Sequence, residues 1–323
     1  MSKQDNNLAT NLKSTTLGKF SDPLVTAQGD ERAWVDLTAL KTLWFNTGTL
    51  CNLACANCYI ESSPKNDRLA YISHDEVKSY LGEIAQEQFP TEEIGLTGGE
   101  PFMNPDIISI MEESLARGFR LLVLTNAMRP MMKCTDDLLR LNKQYGARIT
   151  IRVSVDHFKR VLHEEERGLR SWEPMMKGLR WLSGNGFNID VAGRTRWGDG
   201  EDELRRGFAA LFEENNLDID AFNHKQLVLF PEMDEKADVP EITTSCWDIL
   251  GRSPGDLMCA SSRMVVKRKG EARPIVQACT LIAHDERFTL GHTLKEASCS
   301  VRLNHPHCAK FCVLGGGACS VRD

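Results

Sequence analysis

Six apolar segments alternate with amphipathic ones over residues 31–231, and this alternation limits the fold more than any other feature of the sequence. Runs such as LLVLT and LVLF are almost continuous in apolar residues, as in parallel strands that are covered on both faces. Strands that alternate with helices predict a parallel α/β sheet, and a doubly wound arrangement fits this pattern. Ligands of such sheets bind at the carboxyl ends of the strands. The predicted strands are Thr42–Asn46, Glu93–Thr97, Arg120–Thr125, Arg148–Val155, Asn188–Arg194 and Gln226–Phe230.

Helix signals lie between these strands. Ser73 is followed three residues later by Glu76, which is a capping-box pattern at the start of the first helix. The second helix is expected to begin at Asn104 and the third at Thr135. A fourth helix is expected within Glu164–Asn185 and a fifth over Glu201–Asn215.

The composition excludes several classes of protein. The chain of 323 residues is 41% hydrophobic, which suffices for a sizeable core, and its net charge of −6 and pI near 5.8 argue against a nucleic-acid partner. No apolar run reaches the length of a transmembrane helix, and the polar N-terminus lacks the apolar centre of a signal peptide. Eleven cysteines without an export signal favour metal thiolates over disulfides. We therefore expect a cytoplasmic protein that binds neither nucleic acid nor a membrane.

The sequence divides into three regions. Residues 1–30 are polar and are expected to form a flexible segment. Residues 31–231 carry the alternating strands and helices. Residues 232–323 hold seven of the eleven cysteines and few long periodic segments, so they predict a smaller domain organised around metal.

Three cysteines stand in one loop directly after the first predicted strand. Cys51, Cys55 and Cys58 have the spacing C-x3-C-x2-C, and no fourth Cys or His lies nearby. A structural zinc site requires four closed ligands. A four-iron cluster held by three cysteines keeps one iron open for another ligand. Two simpler interpretations of Cys55 and Cys58 are a thioredoxin-like redox pair and half of a zinc ribbon.

A second motif, GGEP, follows the second predicted strand. Gly98 and Gly99 let a ligand approach the backbone amides closely, and the carboxylate of Glu100 is able to accept hydrogen bonds from an ammonium group. The alternative is an ordinary glycine turn before a helix that starts at Pro101.

The cysteine triad and the GGEP segment together resemble the radical S-adenosylmethionine (radical SAM) superfamily. The resemblance implies a partial (β/α)6 barrel and a [4Fe-4S] cluster on the triad, whose open iron is chelated by SAM. Reductive cleavage of SAM then yields a 5′-deoxyadenosyl radical. It also implies that the segment from Gly98 to Pro101 holds the amino group of SAM. One departure is Asn57, which replaces a common aromatic residue at a position that lies beside the adenine mainly through its backbone.

Polar residues at three further strand ends agree with this resemblance. Thr125 and Asn126 match the end of the third strand of the family, near SAM. Ser154 and Asp156 alternate to one side of the fourth strand and are candidates for the ribose hydroxyls. Arg194, at the end of the fifth strand, is a candidate partner of the SAM carboxylate. Each of these residues also fits an ordinary polar strand end.

The C-terminal region resembles SPASM and shorter twitch domains, which carry auxiliary [4Fe-4S] clusters. Its sequence has a cysteine, a short hairpin and another cysteine before the run HPHCAKFCVLGGGACS. The usual seven-cysteine spacing is absent, so we expect one auxiliary cluster. Structural zinc is the alternative, with His305 and His307 as further ligands. Cys246 and Cys299 are predicted not to be ligands, and Cys134 is expected to be a plain buried cysteine. The predicted ligands are Cys279, Cys308, Cys312 and Cys319, with Cys259 as the alternative fourth.

These features predict a radical SAM enzyme that abstracts hydrogen from a small metabolite or a peptide. Such an enzyme requires a low-potential reductant, such as flavodoxin or ferredoxin. No peptide-leader-binding domain is recognised before the barrel, which weakens the peptide case. The alternative is a non-catalytic iron–sulfur protein for electron transfer or scaffolding. The GGEP segment argues against it, because an electron carrier does not need to bind SAM.

Overall fold

The computed structural model of the chain describes residues 18–316. Six parallel strands, β2 to β7, lie side by side in chain order and form the centre of the fold. Because this order never reverses, the strands form a partial (β/α)6 barrel and not a doubly wound sheet. The strands are β1 (Trp34–Val35), β2 (Thr42–Asn46), β3 (Glu93–Thr97), β4 (Arg120–Thr125), β5 (Ile149–Asp156), β6 (Asn188–Arg194), β7 (Leu227–Phe230), β8 (Ser262–Val266), β9 (Ile275–Gln277), β10 (Thr289–Gly291) and β11 (Val301–Arg302).

The connecting helices pack on the sheet and bury one large core. The predicted capping box is confirmed, since the Ser73 hydroxyl accepts from the Glu76 N–H and the Glu76 carboxylate accepts from the Ser73 N–H. None of the helices within residues 18–316 combines the length and the apolar character needed to span a bilayer. The helices are α1 (His74–Gln86), α2 (Ile107–Ala116), α3 (Arg129–Met132), α4 (Thr135–Tyr145), α5 (Arg160–Arg167), α6 (Trp172–Gly184), α7 (Glu201–Glu214) and α8 (Cys246–Leu250), followed by a π-helix (Cys308–Leu314).

The C-terminal region continues the barrel sheet. Strand β8 pairs in parallel with β2, and β9 and β10 follow it in antiparallel pairing, so the order of the sheet is β10-β9-β8-β2-β3-β4-β5-β6-β7. The predicted hairpin between two cysteines is confirmed as β8 and β9. Trp44 and Leu122 of the barrel share a second core with Met264 and Val266. The predicted boundary at residue 231 therefore lies within one continuous sheet.

In residues 18–30, the described part of the segment expected to be flexible, Phe20 and Thr26 are buried and the other residues are exposed or half-buried; residues 1–17 lie outside the described range. Phe20 is buried against the second core. The Glu241 carboxylate accepts from the backbone N–H groups of Phe20 and Ala27, each at 2.7 Å. Arg32, also buried, donates to the same carboxylate at 2.5 Å. The Glu241 carboxylate, which is distant in sequence, therefore binds this polar segment and the adjacent Arg32 through three hydrogen bonds.

Candidate cofactor site

The three clustered cysteines lie at the carboxyl end of β2, in the wall of an open cavity of about 630 Å³, here called the triad cavity. The backbone N–H of Leu53 points at the Cys51 sulfur at 3.4 Å, and that of Ser62 points at the Cys58 sulfur at 3.3 Å. Burial raises the pKa of the Cys51 thiol to about 12 and also raises that of Cys55. A metal has to supply the positive charge that makes such thiols thiolates. The chemistry of these donors therefore fits an iron–sulfur cluster.

The two glycines of the second motif bring its backbone against the cysteine loop. Gly98 adopts a φ of 146°, which side chains rarely allow. A Cβ at Gly99 would lie 2.2 Å from the Leu50 carbonyl oxygen. The Gly99 N–H donates to the Gly48 carbonyl at 2.7 Å. Both glycines line the triad cavity, so a ligand in that cavity would meet their backbone.

Glu100 lies beneath this cavity and not in its wall. It is 2% exposed and accepts from the Phe102 N–H at 3.2 Å, the Thr125 hydroxyl at 2.8 Å and the Asn126 N–H at 2.9 Å. Burial raises the pKa of this carboxyl group to about 7. These contacts tie the motif to the end of β4, and the expected contact with an ammonium group stays a prediction. Pro101 is also buried, at the start of a short 3-10 helix.

The other predicted polar residues meet at the same end of the barrel. Thr125, Asn126, Ser154 and Arg194 all line the triad cavity. The Asn126 side-chain amide donates to the side-chain Oδ1 of Asn52 at 3.0 Å and lies 3.9 Å from the Cys51 sulfur. Strand ends that are distant in sequence are therefore brought together around the cysteines.

Asp156 is the centre of a buried charged network. Arg167 donates to both of its carboxylate oxygens, at 2.6 and 3.2 Å, and Arg194 lies at 3.4 Å. Burial favours the neutral acid, but the two arginines hold the pKa of Asp156 below its usual range. Asp156 raises the pKa of Arg167 against the effect of burial. The network keeps two cations in the cavity wall, where an anionic group of a cofactor is able to meet them.

Glu166, which the sequence analysis did not single out, holds the cysteine loop. Its carboxylate accepts from the backbone N–H of Asn57 at 3.0 Å and from the Asn57 side chain at 2.8 Å. Its carbonyl oxygen accepts from the Ala56 N–H at 2.8 Å. No local motif marks Glu166 in the sequence, because its partners Ala56 and Asn57 are about 110 positions away.

A second space, here called the barrel cavity, adjoins the triad cavity. Its volume is about 630 Å³, and it shares Tyr59, Leu124, Ser154, Arg167 and Arg194 with the triad cavity. Asp156 lines the barrel cavity but not the triad cavity. The apolar part of its lining includes residues of the chain beyond β6, namely Phe230, Met233, Leu281 and Phe311. A molecule in the barrel cavity would therefore lie between the cysteine triad and the C-terminal region.

Four cysteines line a third space of about 390 Å³, here called the four-cysteine cavity: Cys259, Cys279, Cys308 and Cys312. Burial raises the pKa of Cys259 to about 12 and raises those of Cys279 and Cys308 as well. The alternative ligand Cys259 thus joins three of the predicted four, and Cys319 lies outside the described residues.

The other described cysteines of the C-terminal region, and Cys134, lie apart from the four-cysteine cavity. Cys246 and Cys299 do not line the four-cysteine cavity, and Cys134 packs beside the main core. In the range 18–316, no three Cys, His, Asp or Glu side chains lie close enough together to hold one metal ion.

Sequence comparisons identify relatives of the chain. A sequence model of the radical SAM superfamily matches residues 45–218. The chain is 32% identical over 143 residues to the antilisterial bacteriocin subtilosin biosynthesis protein AlbA of Bacillus subtilis (strain 168), covering 44% of this chain and 30% of that protein. It is 30% identical over 141 residues to a GTP 3′,8-cyclase of Haemophilus influenzae (strain PittEE), covering 43% of this chain and 40% of that protein. The matches thus span less than half the length of these curated relatives.

Solved structures share the fold. The structure of anSMEcpe with bound AdoMet has a TM-score of 0.58 at 14% identity, covering 80% of this chain and 79% of that chain. Streptococcus suis SuiB bound to S-adenosylmethionine has a TM-score of 0.57 at 12% identity, covering 79% of this chain and 63% of that chain. At these identities the likeness establishes the architecture alone.

Proposed function

Because the chain belongs to the radical SAM superfamily, which uses a [4Fe-4S] cluster and SAM, we propose that it cleaves SAM reductively and abstracts a hydrogen atom from a substrate in the barrel cavity. The observation that carries this proposal is the meeting of Cys51, Cys55 and Cys58 with the Gly98–Gly99 backbone at one open cavity. Three thiols leave one iron of a four-iron cluster without a protein ligand. The bound cofactors supply the electron and the 5′-deoxyadenosyl radical.

The residues of the triad cavity would bind and orient SAM. Gly98 and Gly99 offer backbone groups to its amino end, beside the cysteines. Ser154 and Arg194 offer a hydroxyl group and a cation to its carboxylate or ribose. Glu100 acts one layer below, where it fixes the ends of β3 and β4. Asp156 keeps Arg167 and Arg194 in place and screens their mutual repulsion.

The substrate would lie between two iron–sulfur clusters. We assign the auxiliary [4Fe-4S] cluster to Cys259, Cys279, Cys308 and Cys312, since four thiols satisfy four irons. Leu281 lines both the four-cysteine cavity and the barrel cavity, so such a cluster would lie directly behind the substrate space. It would accept the electron that the substrate releases when it is oxidised.

The relatives support both substrate classes. One is named for bacteriocin biosynthesis and another for cyclisation of GTP. We therefore propose that the protein abstracts hydrogen from either a small metabolite or a peptide. A low-potential cytoplasmic reductant, such as flavodoxin or ferredoxin, would supply the electron.

The test is SAM cleavage by protein that has been reconstituted with iron and sulfide under anaerobic conditions and reduced with dithionite. We expect 5′-deoxyadenosine from the wild type and none from the triple variant Cys51→Ala, Cys55→Ala, Cys58→Ala. Cys134→Ala is the matched control, because this thiol lines none of the three cavities and should leave cleavage unchanged.

Two results would contradict the proposal. Equal cleavage by the triple variant would show that the triad does not hold the cluster at which SAM reacts. A fully iron-loaded wild type that neither binds nor cleaves SAM would favour the electron-transfer or scaffold alternative.

A further inference from the structure

His307 is a buried polar residue in an otherwise apolar and thiol-lined wall. It is 2% exposed and lines the four-cysteine cavity. Its Nδ1 atom is buried and makes no hydrogen bond within the described structure. Buried polar atoms of proteins are almost always paired, so a bare one in a cavity indicates a partner that the polypeptide does not provide.

The neighbours of His307 do not supply that partner. The Nε2 atom lies 3.4 Å from the carboxylate of Glu235, whose side chain is 61% exposed, so this edge of the ring faces the surface. The ring of His305 lies beside it at a tilt of 56°, with ring centroids 4.7 Å apart, but the His305 Nδ1 atom already accepts from the His307 N–H at 3.1 Å. The two ring nitrogens of an imidazole point in different directions. With Nε2 toward the surface, Nδ1 is the atom left for the interior.

We propose that the imidazole of His307 carries its proton on Nδ1, donates a hydrogen bond from this atom to a sulfur atom of the auxiliary cluster and thereby sets the reduction potential of that cluster. This inference rests on the proposed auxiliary cluster. The four cysteines already provide one ligand for each of four irons, so the imidazole meets sulfur and not iron. A hydrogen bond to sulfur stabilises the reduced cluster more than the oxidised one, because the reduced cluster carries one more negative charge. His307 is thus a positioning residue for electron transfer and not a catalytic residue.

The experiment isolates the auxiliary cluster in the full chain. The variant with Cys51, Cys55 and Cys58 changed to Ala leaves only the C-terminal cluster, whose midpoint potential is measured by EPR-monitored redox titration. In that background, His307→Phe removes the donor but keeps an aromatic ring. His307→Asn keeps an amide N–H near the position of Nδ1. His305→Asn is the matched control, because its side-chain oxygen is still able to accept from the backbone N–H of His307.

We expect all three variants to retain about four irons. The His307→Phe potential should become more negative, and His307→Asn should recover part of the shift. His305→Asn should leave the potential unchanged. With 15N-labelled histidine, pulsed EPR of the reduced background variant should show a weakly coupled histidine nitrogen that His307→Phe removes.

Three results would overturn the inference. An unchanged potential in iron-loaded His307→Phe would show that the ring of His307 only packs against its neighbours. Loss of iron from both His307 variants, with a strongly coupled nitrogen before the change, would make His307 an iron ligand. Absence of iron from the background variant would remove the auxiliary cluster itself, a failure that iron analysis separates from the other two.

Discussion

At the scale of single residues, two backbone segments of the candidate site lie in direct contact at Gly99. A side chain at Gly99 would meet the carbonyl oxygens of Leu50 and Thr49 at 2.2 and 2.7 Å. These are main-chain atoms of the loop that leads into the cysteine triad, and no rotamer change is able to move them aside. Because Gly99 has no side chain, the cysteine loop is able to pack directly against the second motif.

We expect Gly99→Ala to destabilise the fold by about 1–3 kcal/mol, as overpacking typically does, and to reduce 5′-deoxyadenosine formation. The cysteine loop has to shift to admit the methyl group. Urea unfolding and SAM cleavage measure the two effects. Gly82→Ala in α1 is the control, because nothing lies within 4 Å of its Cβ and alanine favours helix. Equal behaviour of the two variants would contradict the close approach described here.

Residues whose neighbours are close in sequence could be predicted from the sequence, whereas those with distant neighbours could not. The triad and the GGEP segment are each contained within a few residues, so their spacing carries the information. Glu166 contacts Asn57 across 109 positions, and no local pattern marks this pair. Glu100 was assigned a contact with SAM from its motif, but its oxygens are taken by the end of β4, which lies 25 and 26 residues away. The direct contact with SAM stays a hypothesis.

At the scale of elements, strand positions followed closely from apolar runs. Four of the predicted strands, among them Thr42–Asn46 and Asn188–Arg194, have the observed bounds. The helix predicted within Glu164–Asn185 is observed as α6, whereas the shorter α5 that precedes it was not predicted. Gly168 ends α5 with a φ of 99°, which a continuous helix does not allow. This break matters for the site, because it places Glu166 and Arg167 at the end of α5, against the cysteine loop.

We expect Glu166→Ala to lower the free energy of unfolding by roughly 1–3 kcal/mol and to reduce the iron bound at the triad. The change leaves both donors of Asn57 without their acceptor. Iron analysis and urea unfolding provide the readouts. Glu165→Ala is the matched control, since this neighbour has a side chain that is 51% exposed and contacts only Trp197 and Arg196. A Glu165→Ala variant as impaired as Glu166→Ala would argue against a specific role of Glu166.

At the scale of the whole molecule, the two metal regions share one sheet. Strand β8 was predicted only as half of a hairpin, because parallel pairing with β2 joins residues about 220 positions apart and leaves no local signal. Through this pairing, β8 of the C-terminal region covers the outer edge of β2, the first strand of the barrel. It also brings the four-cysteine cavity next to the barrel cavity, with Leu281 in both walls.

This architecture predicts that the barrel does not fold alone. A variant truncated after residue 231 loses β8, which exposes the β2 edge and uncovers Trp44 and Leu122. An open edge strand beside apolar surface favours aggregation, so we expect an insoluble protein, or a soluble one without a cooperative unfolding transition. Deletion of residues 317–323 is the control. It keeps all four cysteines of the C-terminal cavity, and we expect a soluble, iron-loaded protein. A truncated barrel that unfolds cooperatively and binds iron at the triad would instead establish two independent domains, joined by a sheet that neither requires.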